Sequence, residues 1–207
     1  MNPDQNRAVA AYLGELVEQL AATPVEPADR GIVRQHLLDS IAAGLIGSGS
    51  GIYRDLLRTC GRPGATEGGH NPLDAAMLWA FAINGSVFED GSKEGACHPA
   101  AAVMPVVFAF GQGKSWELID RAVIAGYDVM VRLARGGNPQ LTLKGFHPTA
   151  IFAPFGAAAT LAVLQGFTPQ QTLHALSLAA QGSGGLMAAF KCGPTQPLQV
   201  AWSVRNG

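Results

Sequence analysis

Charge is scarce in this chain. Asp, Glu, Lys and Arg together make up 14% of its 207 residues, against about 25% in an average soluble domain. Between Gly145 and Phe190 there is none of the four. A monomer of this size needs more charged surface, so the composition predicts a large apolar interface with a second copy or with further chain. The formal net charge is −1, and basic residues are not interleaved with aromatics, which excludes the footprint of a nucleic-acid binder. Long hydrophobic runs are lacking too. The most apolar piece, Ile151 to Leu164, is shorter than a bilayer requires and is interrupted by Pro154 and Gly156, so it is expected to be a buried helix with no membrane partner.

Cysteine is rare: Cys60, Cys97 and Cys192 are odd in number and far apart. They fit reduced thiols and offer no zinc spacing. The start, MNPDQNRAVAAYL, has neither the basic segment nor the continuous apolar core of a secretory signal, and the expected location is the cytoplasm. Cys97 stands beside His98, but nothing else in the sequence supports a thiol nucleophile. The glycine groups at 47–51 and 182–185 follow no recognisable strand, so close helix packing or flexible connection is preferred to phosphate binding.

What the chain does have is helical periodicity nearly from end to end. Val9, Leu13, Leu16, Val17 and Leu20 mark one amphipathic helix; Ile32, Val33, Leu37, Leu38, Ile41, Ala42 and Leu45 mark a second. A glycine-rich connection carrying a short helix is expected between Gly47 and Asn71. Asn71, Pro72 and Asp74 form a helix start, Ser115 caps another, and Thr168, Pro169 and Gln171 form a capping box. No stretch alternates like a strand. The predicted class is all-α, a multi-helix bundle in which small residues let helices approach closely.

Two histidines stand directly before prolines at the head of alanine-rich stretches: His98 in HPAAAVMP and His147 in HPTAIFAP. Proline is favoured at the first position of a helix, so each imidazole is expected at a helix N-terminus. There the unpaired backbone N–H groups disfavour imidazolium and attract anions. Such a pair suits proton transfer on a small polycarboxylate. A second proline follows each at the same spacing, Pro105 and Pro154. An interior proline costs a helix about 3 kcal/mol, and its repetition predicts a shaped cavity between the two helices. His174 is expected to be a packed or partly exposed polar residue.

Further residues carry a resemblance. LLDSIAAGLIG (37–47), AINGSVFEDGSKEGACHPAAAVMP (82–105), AGYDVMVRL (125–133), GFHPTAIFAPFGAAATLAVLQG (145–166), ALSLAAQGSGGL (175–186) and QPLQVAWSVRNG (196–207) resemble, in order, the N-terminal half of the MmgE/PrpD family, which includes 2-methylcitrate dehydratase and cis-aconitate decarboxylase. The resemblance implies that residues 1–207 are the helical N-terminal domain, which dimerises, and that a smaller lid domain follows. The chain ends on TQPLQVAWSVRNG, a helix still under way, so it is expected to be incomplete and truncated before the lid.

The resemblance also implies chemistry without a metal or cofactor. The family's active-site histidines match His98 and His147, and its acidic loop residue is best matched by Asp90. Ser92 falls where a hydroxyl is often found. The family's usual lysine falls on Gln196 and its following histidine on Gln199; Lys191 and Lys93 are candidate replacements for the missing cation. The activity implied is that of a hydro-lyase on a citrate-like di- or tricarboxylate. Alternatives are a dicarboxylate epimerase or decarboxylase of the same family, or a non-catalytic helical fragment that dimerises or pairs with a separately encoded lid.

Overall fold

The computed structural model describes residues 3–60, 71–193 and 195–207. The short helix expected between Gly47 and Asn71 is present at Gly51–Cys60, whereas 61–70 and the side chain of Cys60 lie outside the described residues. Among the described residues ten α-helices follow one another: α1 (Pro3–Ala22), α2 (Pro27–Ser48), α3 (Gly51–Cys60), α4 (Pro72–Ser86), α5 (Ala100–Phe110), α6 (Trp116–Gly137), α7 (Gln140–Leu143), α8 (Pro148–Gln165), α9 (Pro169–Ala179) and α10 (Thr195–Asn206). Short 3₁₀ turns at Ala180–Gly182 and Met187–Lys191 lie between α9 and α10. Among the described residues there is no β-sheet, and the all-α reading holds.

The starts follow the residue chemistry expected of them. Asn71 accepts from the Leu73 amide and Ser115 from the Leu118 amide, while Thr168 and Gln171 complete a reciprocal capping box. Each acceptor satisfies an amide that has no partner inside its own helix.

α5 and α8 form the middle of the bundle, where α5 is buried from Ala100 to Val107 and α8 along nearly all its length. α6 packs along α8, α4 lies against α2, α5 and α10, and α1 packs on α9. Small side chains permit this closeness. A Cβ at Gly126 of α6 would stand 2.1 Å from Thr160 Oγ1 of α8, and one at Gly47 of α2 would stand 1.8 Å from the Ala82 carbonyl of α4. The Arg34 guanidinium of α2 pairs with the buried Asp120 carboxylate of α6 and lies 4.3 Å from the Trp116 ring centroid.

Three expectations are corrected by this packing. α8 does not break at Pro154 or Gly156 but runs for 18 residues, long and apolar enough to cross a membrane by length and composition; 78% of it is buried inside the domain. Pro105 and Pro154 are themselves buried within packed helices. Among the described residues a cavity that touches both helices is lined by Val106, Phe110, Ala157 and Leu161, toward their C-terminal ends, and neither histidine lines it. Finally, α2 buries Val33 and Leu37, whereas Ile32, Leu38, Ile41 and Leu45 of the same apolar pattern are exposed.

Candidate active site

α4 is capped at its C-terminus by Val87, which adopts a left-handed conformation (φ 58°), one that a β-branched residue rarely enters. The turn sends the chain back over the bundle as the loop 88–99. Ser92 and Cys97 pinch this loop with a pair of backbone hydrogen bonds of 2.8 and 3.3 Å. Asp90 anchors it. Its Oδ1 accepts from the Ala100 amide at 3.0 Å, capping α5; its Oδ2 accepts from the Tyr127 hydroxyl at 2.8 Å and lies 2.9 Å from His36 Nδ1. The positive end of α5 is thereby already met by the protein's own carboxylate. The hydrogen bond to Asp90 raises the basicity of His36 against the opposing effect of burial.

His98 takes its orientation from the same residue. Its Nδ1 lies 2.7 Å from the Asp90 backbone carbonyl, and its backbone amide donates to Thr149 Oγ1 at 3.2 Å. The second contact joins the head of α5 to the first turn of α8, so the two His-Pro starts are neighbours. His98 lies one position outside the helix proper, because Pro99 is the N-cap of α5.

Beside His98 lies a carboxyl group that the sequence reading passed over. Glu89 Oε1 stands 3.7 Å from His98 Nδ1, and the Glu89 side chain is 1% exposed. Oε1 accepts from Asn84 Nδ2 at 2.6 Å, and Asn84 Oδ1 accepts from Gln196 Nε2 at 2.6 Å. Glu89 Oε2 is buried and has no hydrogen-bond partner among the described residues. Burial pushes the Glu89 carboxyl above the usual carboxylate range, although the neighbouring His98 pulls it down. Gln196, standing where a cation was expected, is a buried member of this amide chain.

His147 is the N-cap of α8 and 3% exposed. Its backbone amide donates to the Gly185 carbonyl at 3.0 Å, and the Met187 amide donates to the Gly145 carbonyl at 2.8 Å. The segment before α10 is thus fastened across the head of α8. Gln199 of α10 places Nε2 2.8 Å from His147 Nδ1, and Phe190 meets the imidazole edge-on at 5.1 Å. Burial, with a further contribution from His98, lowers the basicity of His147 to a pKa of about 4. Both imidazoles do lie at helix starts, but burial rather than the helix end dominates this effect.

The remaining candidates lie further out. Ser92 is half-buried and its Oγ accepts from the Gly95 amide at 3.2 Å; Lys93 and Lys191 are exposed. Cys97 is buried, and that burial holds its thiol protonated up to about 12. His174 is exposed and bonded to Gln170. Glu89, Asn84, Thr149, His36 and Tyr127 entered the site only through the fold, as did the pairing of Gln199 with His147. The adjacent acids of the FED triplet were the one local signal.

The MmgE/PrpD N-terminal domain model matches residues 11–207. The chain is similar to the cis-aconitate decarboxylase-like protein oryM of Aspergillus oryzae, 29% identical over 220 aligned positions that take in 96% of this chain and 45% of that protein. It is also similar to cis-aconitate decarboxylase of Aspergillus terreus, 34% identical over 145 positions, or 66% of this chain and 29% of that one. The chain spans less than half the length of these curated relatives.

Proposed function

Because the chain belongs to the MmgE/PrpD family, we propose that it supplies the histidine-bearing helical part of a lyase acting on a citrate-like polycarboxylate. The observation that carries this reading is the meeting of two helix starts, where His98 sits beside the buried Glu89 carboxyl and next to the turn that holds His147. Removing a proton next to a carboxylate leaves a poorly stabilised carbanion. Such a reaction needs a base at the carbon and hydrogen-bond donors at the carboxylate. The uncapped amides at the head of α8 suit the second task, and the imidazoles suit the first. Asp90, with both oxygens engaged, fits the orienting role. Lys93 and Lys191, both exposed, are the cations this reading would set against a polyanion. In this reading the protein's own side chains and backbone amides carry the chemistry.

Loss of CO2 in place of water is the second reading, and the names of the relatives favour it. In dehydration an imidazole takes the proton from the carbon next to a carboxylate and hydroxide leaves the neighbouring carbon; in decarboxylation the C–CO2 bond breaks and the carbanion left behind, delocalised toward a remaining carboxylate, takes a proton from an imidazole. Completion of the site by a second copy of the chain, or by a lid carried on another segment, belongs to the same proposal, since relatives are about twice as long. A lid excludes water and strengthens charge interactions inside the site.

The test is deuterium uptake from D2O into cis-aconitate or 2-methylaconitate, read by NMR, for the chain and for His98→Ala and His147→Ala. Uptake that falls on the order of a hundredfold or more in each variant is expected. Equal uptake in all three proteins would remove the histidines from the chemistry.

A further inference from the structure

We infer that the two histidines hold their neutral-state protons on opposite ring nitrogens. His98 carries its proton on Nδ1 and presents a basic Nε2; His147 carries its proton on Nε2, and Gln199 fixes it there as a positioning residue. The use made of these protons rests on the lyase reading, whereas their placement does not.

For His98 the argument is short. Its Nδ1 stands 2.7 Å from the Asp90 backbone carbonyl, and a carbonyl oxygen can only accept, so Nδ1 donates. Glu89 Oε1 on the same side, 3.7 Å away, favours a proton there as well. Nε2 has no hydrogen-bond partner among the described residues.

For His147 the orientation of the Gln199 amide decides. The Leu186 backbone N–H donates to Gln199 Oε1 at 2.9 Å. A backbone N–H cannot accept, so the amide oxygen must face it, and the amide nitrogen must face the other way. That nitrogen lies 3.3 Å from the Leu186 carbonyl and 2.8 Å from His147 Nδ1. An amide NH2 has no lone pair to offer, so Nδ1 accepts and the ring proton sits on Nε2. Adding a proton at Nδ1 would set two donors against each other. Burial of the ring opposes the same protonation.

The two imidazoles therefore divide the work. His98 takes and returns protons through Nε2, with the Glu89 carboxyl beside it when it becomes charged. His147 stays neutral and offers an N–H to a substrate oxygen, where negative charge builds as the bond to carbon breaks. The proton removed from carbon goes to His98, and the same nitrogen delivers it when the reaction runs toward protonation.

The experiment is long-range 1H–15N correlation on the full chain labelled with 15N-histidine, at a pH where both rings are neutral. His98→Asn and His147→Asn assign the signals. The expected spectrum has a protonated Nε2 with a bare Nδ1 for His147, and the reverse for His98. Gln199→Glu, whose carboxylate can only accept, should move the His147 proton to Nδ1 and raise its protonation midpoint by at least about one pH unit, a tenfold change. The inference is overturned by a protonated Nδ1 on His147 in the native chain, by the same tautomer on both rings, or by a Gln199→Glu spectrum with His147 unchanged. If Gln199→Glu does not fold, the native spectrum decides. Opposite tautomers in a chain that exchanges no deuterium into either substrate support the inference and overturn the lyase reading alone.

Discussion

Glu89 Oε1 lies 3.7 Å from His98 Nδ1, and Asn84 and Gln196 tie that carboxyl to α10 by hydrogen bonds of 2.6 Å. Removing its charge while keeping its shape separates electrostatic support of His98 from packing. In Glu89→Gln the amide oxygen can still accept from Asn84. Deuterium uptake is expected to fall about tenfold to a hundredfold, while stability to urea stays within about 1 kcal/mol, because the desolvation cost of a buried carboxylate largely offsets the attraction it gains from its partners. Unchanged uptake with lowered stability would make Glu89 a packing residue only.

His147 gives a pH dependence whose sign is fixed. Its pKa is about 4 in the folded chain against an ordinary 6.5, so between these values the unfolded state binds a proton that the folded state does not. Stability contributed by neutral His147 is therefore complete above about 6.5 and declines as pH falls toward 4, by roughly 3 kcal/mol in all. His36 and Glu89 shift upward and contribute with the opposite slope. The measurement is thus the difference between the native chain and His147→Asn in urea unfolding across this range. The native chain should lose more stability on acidification, and parallel curves would refute the assignment.

Much of the frame was legible in the residues. The caps at Asn71, Ser115 and Thr168 and the two His-Pro starts depend on neighbours a few positions away, and local chemistry decides them. The choice between Glu89 and Asp90 was not legible, because α5 and Tyr127 capture one carboxylate and Asn84 holds the other. Gln199 was noticed as a departure from the family pattern; its partner, His147, appears only when α10 docks on α8. Periodicity marked the apolar residues of α2 without saying what would cover them.

That uncovered face yields the next expectation. Leu38, Ile41 and Leu45 are exposed on α2, and apolar surface gathered in this way favours association. The native chain should sediment as a dimer or larger species at micromolar concentration, and the double variant Leu38→Glu, Leu45→Glu should shift toward monomer with its helical circular dichroism intact. A native chain that runs as a monomer would count against the idea.

Two glycines of α6 are expected to respond in opposite directions to the same change. At Gly126 an added Cβ would stand 2.1 Å from Thr160 Oγ1 and 2.8 Å from Val103 Cγ2. Neither neighbour can give way easily: both are fully buried, and the Thr160 hydroxyl donates to the Gly156 carbonyl at 2.8 Å. Gly126→Ala should thus force α6 from α8 and cost at least about 2 kcal/mol. At Gly136 nothing lies within 4 Å of the same atom, so Ala should add about 0.5–1 kcal/mol of stability by restricting the unfolded chain. Chemical denaturation of both variants tests the pair. The site gives a second measure, because Tyr127 follows Gly126 and donates to Asp90 Oδ2 at 2.8 Å. Displacing α6 should loosen the Asp90 anchor that orients His98 and lower deuterium uptake in Gly126→Ala, whereas Gly136→Ala leaves uptake unchanged. Equal stability of the two variants would mean that α6 and α8 are not in the close contact described.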